Sequence, residues 1–506
     1  MFNILMENLS MKKFILKTFA ALALAGGVAS CGNDFLETNY YRGIDIDTGL
    51  NSVNNIGTAL NGTYYRLFAY YFAGNYATSI GDIATDLAYW NGLTGHFDGI
   101  HTYTYTDTDS YLAGIWNYGY KVVDNSARVI KAAKALYDGA SDAEKAELSL
   151  YLAEAHALRG YASLVLTNVF AHQIKVNGTD HSAKLGIVVV DEPIPAYTNV
   201  RRATVGESYA AIVNDFKTAL EYFTAAGGDR GNLQYFGEAA TYGLLARTYL
   251  YMEDWANAAT NAQNALDVAG ITTLAYTADA YAALYASETS NNESMFALAI
   301  TSSNNWSANS CGTLWSTYNY SPSPKLQAMY GANDCRKSIM TFGATSTPEV
   351  PVYGAGKFVH TSSGNSAYGT NYIVNAPEMF LIIAEAKANI GTDLTLTGAQ
   401  DALLVVAKRN ADIATTADLP SSKAEILAFI KEERARELFQ EGMRLYDLRR
   451  WGDKAEVFAM GAPATSYTHT DYEIADLVFP IPVSEINAGF GVVQNDDWSS
   501  SMPKAK

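Results

Sequence analysis

Two stretches of the chain combine tryptophan and tyrosine with asparagine outside any helical pattern. The first contains Trp90 and Asn91, and the second, rich in serine and asparagine, contains Trp306, Trp315 and Tyr320. An aromatic ring offers a flat apolar face, and an amide side chain both donates and accepts hydrogen bonds. A sugar ring presents C–H groups on its face and hydroxyl groups on its rim. The chemistry available to these two loops is therefore recognition of a neutral, hydroxyl-bearing ligand.

A pair of carboxylates is the catalytic candidate. Asp82 and Asp86 stand four residues apart and could share one face of a helix, where two carboxyl groups can act as acid and base in glycoside hydrolysis. The same spacing is common on ordinary helices, so we expect no catalysis here. The chain contains no metalloprotease, nucleophile-elbow, phosphate-loop or dinucleotide-binding motif. Its seven histidines show no metal-ligand spacing, so the sequence identifies no metal ligands and no cofactor, and whether a structural metal is bound stays open.

The composition disfavours several classes of partner. The formal net charge is −17 at pH 7, which argues against nucleic acid and against anionic lipid headgroups. Only 17% of the residues are charged, whereas tyrosine alone contributes 35 residues. Because tyrosine packs through its ring and hydrogen-bonds through its hydroxyl group, such a composition suits neutral ligands.

The N-terminal segment predicts secretion and lipid attachment. Lysines follow Met11, an alternative start, and the mostly apolar run 18–28 is too short to span a bilayer. The sequence Val-Ala-Ser-Cys ending at Cys31 matches a lipobox, in which signal peptidase cuts before a cysteine that is then acylated. We therefore predict a signal peptide over residues 1–30 and a membrane anchor at Cys31.

Two further cysteines, Cys311 and Cys335, follow in the chain. In the oxidising compartment that a secretory signal implies, they could form a disulfide. The sequence does not show that they lie close, so free thiols and a disulfide both remain open.

The densest helical pattern covers residues 425–452. Apolar residues recur there at helical spacing: Ile426, Ile430, Ala435, Leu438, Phe439 and Met443. The stretch also holds five arginines and one lysine, and the spacing of its charges predicts the pairs Glu432–Arg436 and Glu441–Arg444. Because guanidinium groups bind carboxylates in a fixed fork geometry, we interpret this block as scaffold and not as a catalytic site.

Helical hairpins account for much of the remaining pattern. Residues 239–266 carry small and aromatic residues at the positions of a tetratricopeptide unit, with a turn near Asp254. Residues 54–72 read as a helix with many aromatic residues, and Thr204 with Glu207 predicts a helix start. We expect a predominantly α fold with about four helix pairs, a loop-rich ligand-binding region and little β structure.

One motif within the dense block is specific enough to suggest a family. Residues 433–452 read Glu-Arg-x-x-Glu-Leu-x-x-Glu-Gly-x-Arg-x-x-Asp-Leu-Arg-Arg-Trp-Gly. This run resembles the C-terminal signature of the SusD/RagB family, surface lipoproteins of Bacteroidetes that capture nutrients, mostly glycans. The resemblance runs from Cys31 to Asn495, with gaps over residues 75–110 and 287–372. Asn375 departs from the family pattern, which usually has arginine there.

The resemblance implies an architecture and a function. It implies a single α-helical domain over residues 31–506, with loop-rich insertions around 75–110 and 287–372. It also implies a lipid-anchored protein of the outer membrane, exposed at the surface, that captures an oligosaccharide without cleaving it and passes it to a TonB-dependent, SusC-like transporter. Aromatic residues in equivalent loops bind glycans in the family, which implies these ligand contacts: Trp90, Asn91, Trp306, Trp315 and Tyr320. Peptide capture, as in RagB-like members, and surface glycoside hydrolysis remain as alternatives.

Overall fold

A computed structural model describes residues 49–318, 320–348, 350–358, 365–461, 466–495, 498–499 and 503. The predicted signal peptide and Cys31 lie outside these residues. The chain divides into the units Met1–Asn51 and Ser52–Lys506, and the architecture below is that of the second unit. Helices make up 53% of the structure, which confirms the predicted α-rich class. Within the described ranges, no helix has the length and apolar character needed to cross a membrane.

The N-terminal part of the second unit contains two long helices. Its elements are α1 (Val53–Phe68), α2 (Tyr76–Ile83), β1 (Ala88–Trp90), α3 (Asp98–His101), α4 (Ser110–Tyr137) and α5 (Asp142–Phe170). Helix α1 ends at Phe68, earlier than the predicted end at residue 72. Helix α4 begins where the Asp109 carboxylate accepts hydrogen bonds from the first-turn amides, and α5 begins at a capping box between Ser141 and Glu144. The short connection lets α4 and α5 pack against each other along their length.

The middle of the chain contains the predicted repeat unit. Its elements are β2 (Lys175–Val176), β3 (Thr179–Asp180), α6 (Val205–Ala226), α7 (Glu238–Tyr251) and α8 (Trp255–Ala269). The capping box of Thr204 and Glu207 starts α6 as predicted. Helices α7 and α8 pack closely because alanines occupy the contact, among them Ala246, Ala258 and Ala262, all fully buried. The predicted pair of packed helices over this stretch is therefore confirmed, and it is consistent with a tetratricopeptide-like unit.

The next part carries more loops and a second pair of packed helices. Its elements are α9 (Ala278–Leu284), β4 (Ser294–Leu298), α10 (Cys311–Ser316), β5 (Tyr320–Pro322), α11 (Pro324–Met329), β6 (Asn371–Asn375), α12 (Ala376–Ile390) and α13 (Asp393–Ala407). Helix α12 packs against both α13 and α8, so the helix pairs form a stack. Cys311 and Cys335 are both buried and free, which excludes a disulfide between them.

The dense block is divided between two helices. The C-terminal elements are α14 (Lys423–Glu437), α15 (Arg444–Trp451), β7 (Lys454–Met460), β8 (Tyr467–Glu473) and α16 (Val483–Ala488). The chain leaves helical geometry after α14 because Gln440 and Gly442 adopt φ of 68° and 74°. Gly81 of α2 packs against this break, and an added Cβ at Gly81 would lie 1.9 Å from the Gly442 carbonyl oxygen. Glycine at 81 thus allows α2 to pack directly on the break.

The break changes one of the two predicted ion pairs. Glu432 and Arg436 pair at 3.3 Å as predicted. Glu441 and Arg444 do not pair with each other, because they lie on either side of the break. Glu441 instead binds the Lys357 ammonium at 2.7 Å, and Arg444 binds Asp86 through two hydrogen bonds.

Half of the charged residues of the block belong to two buried groups of ion pairs, one around Arg336 and one around Asp447, which together we call the buried ion-pair network. We define it by these residues: Glu293, Asp334, Arg336, Glu385, Arg409, Glu433, Arg434, Arg436, Glu437, Asp447 and Arg450. Each of them is more than nine-tenths buried. Within the network, Arg336 contacts Asp334 at 2.7 Å, Glu433 at 2.7 Å and Glu437 at 3.0 Å. The interpretation of this block as scaffold agrees with these contacts.

A small sheet joins the two loop regions that the sequence singles out. Its strand order is β5-β1-β7-β8, with β1 antiparallel to β5 and parallel to β7. The register places Trp90 opposite Tyr320. Strand pairing therefore fixes the loop around residue 90 against the loop around residue 320.

Candidate functional site

Nine aromatic side chains form a continuous surface that we call the aromatic ribbon. Its members are Tyr65, Phe68, Tyr70, Tyr71, Tyr76, Phe97, Tyr111, Tyr118 and Trp306. Each ring has a neighbouring ring with centroids no more than 6.4 Å apart, within the range of favourable aromatic pairs. Phe68 and Phe97 are buried, whereas the tyrosines and Trp306 keep part of their surface exposed. The ribbon therefore offers several flat apolar faces to solvent.

The turn that follows α1 supplies the centre of the ribbon. Tyr70 and Tyr71 lie in this turn with ring centroids 4.0 Å apart. The Tyr76 amide donates to the Tyr70 carbonyl at 2.9 Å, which closes the turn onto the start of α2. Gly74 is required inside it, since a Cβ there would lie 2.1 Å from the Phe68 carbonyl oxygen. The turn thus presents two adjacent tyrosines on a backbone held by its own hydrogen bonds.

Trp306 is fixed against this turn. Its indole nitrogen donates to the Phe68 carbonyl at 2.8 Å, and its ring lies 5.6 Å from Tyr70. The segment carrying it is held at a second point, where the Asn75 amide donates to the Asn309 carbonyl at 2.8 Å. Because its N–H group is used internally, Trp306 offers a ligand its ring face and not its donor.

The other end of the ribbon contains a strained residue. Phe97 has φ of 57°, which is uncommon for a bulky side chain. Its amide donates to the Tyr111 hydroxyl oxygen at 3.2 Å, and the two rings stack with centroids 3.8 Å apart. Ser307, next to Trp306, also has positive φ, at 48°. Strain of this kind persists where the surrounding structure enforces it and is concentrated at ligand sites.

A separate aromatic pair includes the residue next to Phe97 in the sequence. His96 stacks on Tyr318 with ring centroids 3.6 Å apart. The Tyr320 hydroxyl donates to the His96 carbonyl at 2.8 Å, and the Thr94 hydroxyl donates to the Tyr318 carbonyl at 3.0 Å. The Trp90 indole donates to the Thr94 carbonyl at 3.0 Å. These bonds connect the two loops that β1 and β5 bring together.

The five residues that the family resemblance implied as ligand contacts occupy different environments. Trp306 belongs to the ribbon, and Trp90 is half-buried at the end of β1. Asn91, Trp315 and Tyr320 are each about 1% exposed. The Trp315 ring lies 5.0 Å from Phe439 and 6.2 Å from Tyr320, so it fills space below the surface. In this structure the three buried residues support the loops and do not face solvent.

Most ribbon residues were not among the sequence candidates. Tyr65, Tyr70 and Tyr71 lie within the stretch 54–72, which the sequence predicts as a helix, and Tyr118 lies on α4. One signal could have identified part of the site: Tyr70 and Tyr71 are adjacent aromatic residues close to the end of the stretch 54–72. Adjacent aromatic residues beyond a helix end have no single apolar face to pack against.

Three phenols of the ribbon are neutral at physiological pH. Burial, followed by the neighbouring Tyr71 hydroxyl, raises the pKa of Tyr70 to about 12. Burial likewise raises the pKa values of Tyr76 and Tyr111 above that of free tyrosine. These phenols therefore stay protonated and can donate as well as accept hydrogen bonds. Lys121 places its ammonium 3.9 Å from the Tyr118 ring centroid, at the edge of the ribbon.

The carboxylate pair considered for hydrolysis is part of the framework. The Asp82 carboxylate accepts hydrogen bonds from the amides of Gly442 and Arg444 at 3.0 and 3.4 Å. Asp86 binds the Arg444 guanidinium at 2.8 and 2.9 Å and the Lys325 ammonium at 3.0 Å. Both aspartates are about 1% exposed. Burial raises the pKa of Asp82 to about 7, whereas Arg444 and Lys325 outweigh the effect of burial at Asp86 and lower its pKa to about 2.

Comparisons with known families match both ends of the chain. The model described as the SusD family matches residues 346–498, and the model described as starch-binding, associating with outer membrane, matches residues 34–250. Comparison with curated proteins finds no match.

Solved structures share the fold over most of the chain. A SusD superfamily protein from Bacteroides thetaiotaomicron is 23% identical, with a TM-score of 0.75 over 88% of this chain and 99% of that one. A second, from Bacteroides vulgatus, is 21% identical, with a TM-score of 0.74 and the same coverage of both chains. A SusD-like carbohydrate binding protein from Bacteroides vulgatus is 18% identical, with a TM-score of 0.65 over 83% of this chain and 90% of that one. At these identities the similarity establishes the fold alone.

Proposed function

Because the chain belongs to the SusD/RagB family, we propose that it captures oligosaccharides at the outer membrane and delivers them, uncleaved, to a TonB-dependent, SusC-like transporter. The match to a family model described as starch-binding supports a carbohydrate ligand. The similar structure described as a carbohydrate binding protein points to the same class.

The aromatic ribbon is the observation that carries this proposal. Several partly exposed rings in succession can stack on successive sugar rings of a chain, and their neutral hydroxyl groups can bond the sugar hydroxyls. Tyr65 and Trp306 are the anchors we assign, with Tyr70 and Tyr71 beside them; Tyr65 is 58% exposed. Trp90 is retained as a peripheral contact. Asn91, Trp315 and Tyr320 act in this proposal as supports of the site.

The environment of the carboxylates supports a role without catalysis. Glycoside hydrolysis needs two carboxyl groups on either side of the scissile bond and accessible to it. Asp82 and Asp86 are instead buried, and Arg444 and Lys325 occupy the Asp86 carboxylate. In the proposed role the bound sugar leaves the ribbon intact and enters the transporter.

Membrane attachment in this proposal depends on Cys31. The family description that includes association with the outer membrane is consistent with a lipid anchor there. Several acyl chains on one residue give stable attachment, whereas a single chain gives marginal attachment. A Cys31→Ser variant is expected to lose lipidation and to appear in the soluble fraction, which cell fractionation and mass spectrometry of the N-terminus would measure.

Calorimetric titration tests the ligand class and the site together. The purified protein would be titrated with a panel of neutral oligosaccharides and, in parallel, with peptides. Trp306→Ala and Tyr65→Ala are each expected to lower the affinity for the tightest-binding glycan by about tenfold or more. Truncation of a central aromatic anchor typically costs more than about 1 kcal/mol of binding free energy. The matched control is Tyr197→Ala, an 88% exposed tyrosine outside the ribbon, whose loss should leave the affinity unchanged.

Each alternative gives a different outcome in the same experiment. Binding of peptides, with no response to any glycan, would favour the RagB-like alternative. Release of new reducing ends from a bound glycan would favour a hydrolase and contradict the non-catalytic role. Equal glycan affinity in the wild type and in both ribbon variants would show that the ligand binds elsewhere.

A further inference from the structure

Three potential metal ligands lie side by side, two from the segment after α5 and one from the segment after β8. His172, His181 and Asp476 each offer one ligand atom, and these atoms all lie within 4.8 Å of one another. The two imidazole rings are nearly perpendicular, at 83°, with centroids 5.5 Å apart. His172 is buried, His181 is half-buried and Asp476 is exposed, so the cluster opens to solvent on the carboxylate side. None of the three belongs to the aromatic ribbon.

The fold holds the three ligands in place through Arg449 and a short hairpin. The Arg449 guanidinium donates to the carbonyl of Ala171 at 2.8 Å and to that of Leu477 at 2.5 Å. It therefore ties the residue before His172 to the residue after Asp476. The hairpin of β2 and β3 then returns the chain, and the His181 amide donates to the Ile174 carbonyl at 2.9 Å. The positions of all three backbones are thus set by hydrogen bonds that are independent of any ion.

One ring nitrogen in the cluster lacks the partner that burial normally requires. Nδ1 of His181 is buried and makes no hydrogen bond within the described part of the chain. A buried polar atom without a partner costs free energy, so such atoms are usually bonded to protein, water or an ion. From this atom and its two neighbours we infer that His172, His181 and Asp476 bind one divalent transition-metal ion of the zinc class.

The ligand set decides which ion fits. Two imidazoles and one carboxylate are typical of zinc and its neighbours, whereas calcium and magnesium prefer sites made of oxygen atoms. Ligands at about 2.1 Å from a shared ion lie at most about 4.2 Å from one another. The three ligand atoms already lie within 4.8 Å of one another, so small side-chain rotations would bring them to this distance. Three protein ligands leave a fourth position for water.

The ion would connect separate parts of the framework. His172 follows α5, His181 follows β3, and Asp476 follows β8, so one ion would cross-link three segments. A ligand that binds the folded state and not the unfolded state stabilises the fold by mass action. We therefore expect zinc to raise the melting temperature, without any change in the ribbon's affinity for glycans.

Titration of the metal-free protein with zinc chloride tests the site. Calorimetry is expected to give a stoichiometry of one, and thermal unfolding in excess zinc is expected to shift the melting temperature upward by about 2 °C. His181→Ala and Asp476→Asn should each weaken zinc binding at least about tenfold. Both side chains lie towards solvent, and circular dichroism of each variant would establish that it folds.

His469→Ala is the matched control. His469 and Asp471 form an exposed pair with ligand-type atoms 3.7 Å apart, the arrangement expected to bind zinc only weakly. This variant should bind zinc as the wild type does, and calcium or magnesium should produce no comparable shift. Failure of the wild type to bind zinc, or unchanged binding in His181→Ala and Asp476→Asn, would overturn the inference. Neither result would bear on glycan binding at the ribbon.

Discussion

The aromatic ribbon and the buried ion-pair network differ in the kind of side chain that each exposes. The network contains eleven charged residues, all of them more than nine-tenths buried and paired with opposite charges. The ribbon consists of uncharged rings, and most of them remain partly exposed although they could pack in a core. Each region thus departs from the usual placement of its residues.

The departures have different physical consequences. Buried charges add little net stability when they are paired, but removal of one partner leaves a charge without compensation. The network therefore specifies how α14 and α15 dock on the rest of the chain. Exposed rings leave apolar surface in water, which a ligand can cover. The comparison indicates that the strongest sequence motif positions the scaffold, whereas the proposed ligand recognition depends on rings in and beside loops.

The largest expected effect comes from breaking the network at Arg336. Arg336→Ala would leave the carboxylates of Asp334, Glu433 and Glu437 without their shared guanidinium. Breaking a buried pair of this kind typically lowers the free energy of unfolding by about 3–5 kcal/mol. Denaturation in urea would measure the loss.

The control for Arg336 is a half-buried, solvent-accessible ion pair of the same chemistry. Arg128 and Asp124 are 2.7 Å apart on α4, with side chains 25% and 35% exposed. Arg128→Ala should cost less than about 1 kcal/mol, since solvent-accessible ion pairs contribute little. If the two variants lost equal stability, burial would not be what distinguishes the network.

The second prediction compares two tryptophans from one loop region. Trp315→Ala removes a buried ring that contacts Phe439, and it should lower the free energy of unfolding by about 3 kcal/mol. Trp306→Ala removes a partly exposed ring. It should lower the free energy of unfolding less than Trp315→Ala does, but it should lower the affinity for glycans more. Urea denaturation and calorimetry on both variants would distinguish a tryptophan that supports the loop from one that contacts the ligand. A loss of affinity in a fully folded Trp315→Ala protein would contradict the supporting role.

Periodicity and motif spacing predicted the framework well. The helix pair within residues 239–266, the helix start at Thr204 and the ion pair Glu432–Arg436 all follow from local spacing, and the structure contains each of them. The break after Glu437 was missed because the apolar pattern continues through it. What interrupts the helix is the positive φ of Gln440 and Gly442, and the contact with Gly81, which is distant in sequence.

The candidate site was harder to predict from the sequence. The sequence indicated the loops around Trp90 and Trp306, but not which of their aromatic residues are buried. Whether a tryptophan supports its loop or is available to a ligand depends on the rings that surround it. Trp315 packs against Phe439, whereas Trp306 packs against Tyr70. The cluster of His172, His181 and Asp476 has no local spacing signal because the carboxylate comes from the far end of the chain.

The last prediction concerns the contact between α2 and the break in the block. Burial raises the pKa of Asp82 to about 7, so the folded protein holds this proton more tightly than the unfolded chain does. The stability that this tighter proton binding contributes is fully present below the pKa of Asp82 in the unfolded chain, and it is lost as the pH rises through about 7. Wild-type stability should therefore fall by about 2 kcal/mol, relative to Asp82→Asn, between about pH 5.5 and about pH 7.5. Urea denaturation of both proteins at the two pH values would measure this difference.

The neighbouring carboxylate provides an internal control because its shift has the opposite sign. Arg444 and Lys325 lower the pKa of Asp86 to about 2, so its stabilising contribution is complete above the unfolded pKa and is lost only as the pH falls towards 2. Asp86→Asn should therefore destabilise the protein equally at both pH values. If the effect of Asp82→Asn on stability were also the same at both pH values, the amides of Gly442 and Arg444 would be holding Asp82 ionised. The contact between α2 and the break would then resemble the ion-pair network.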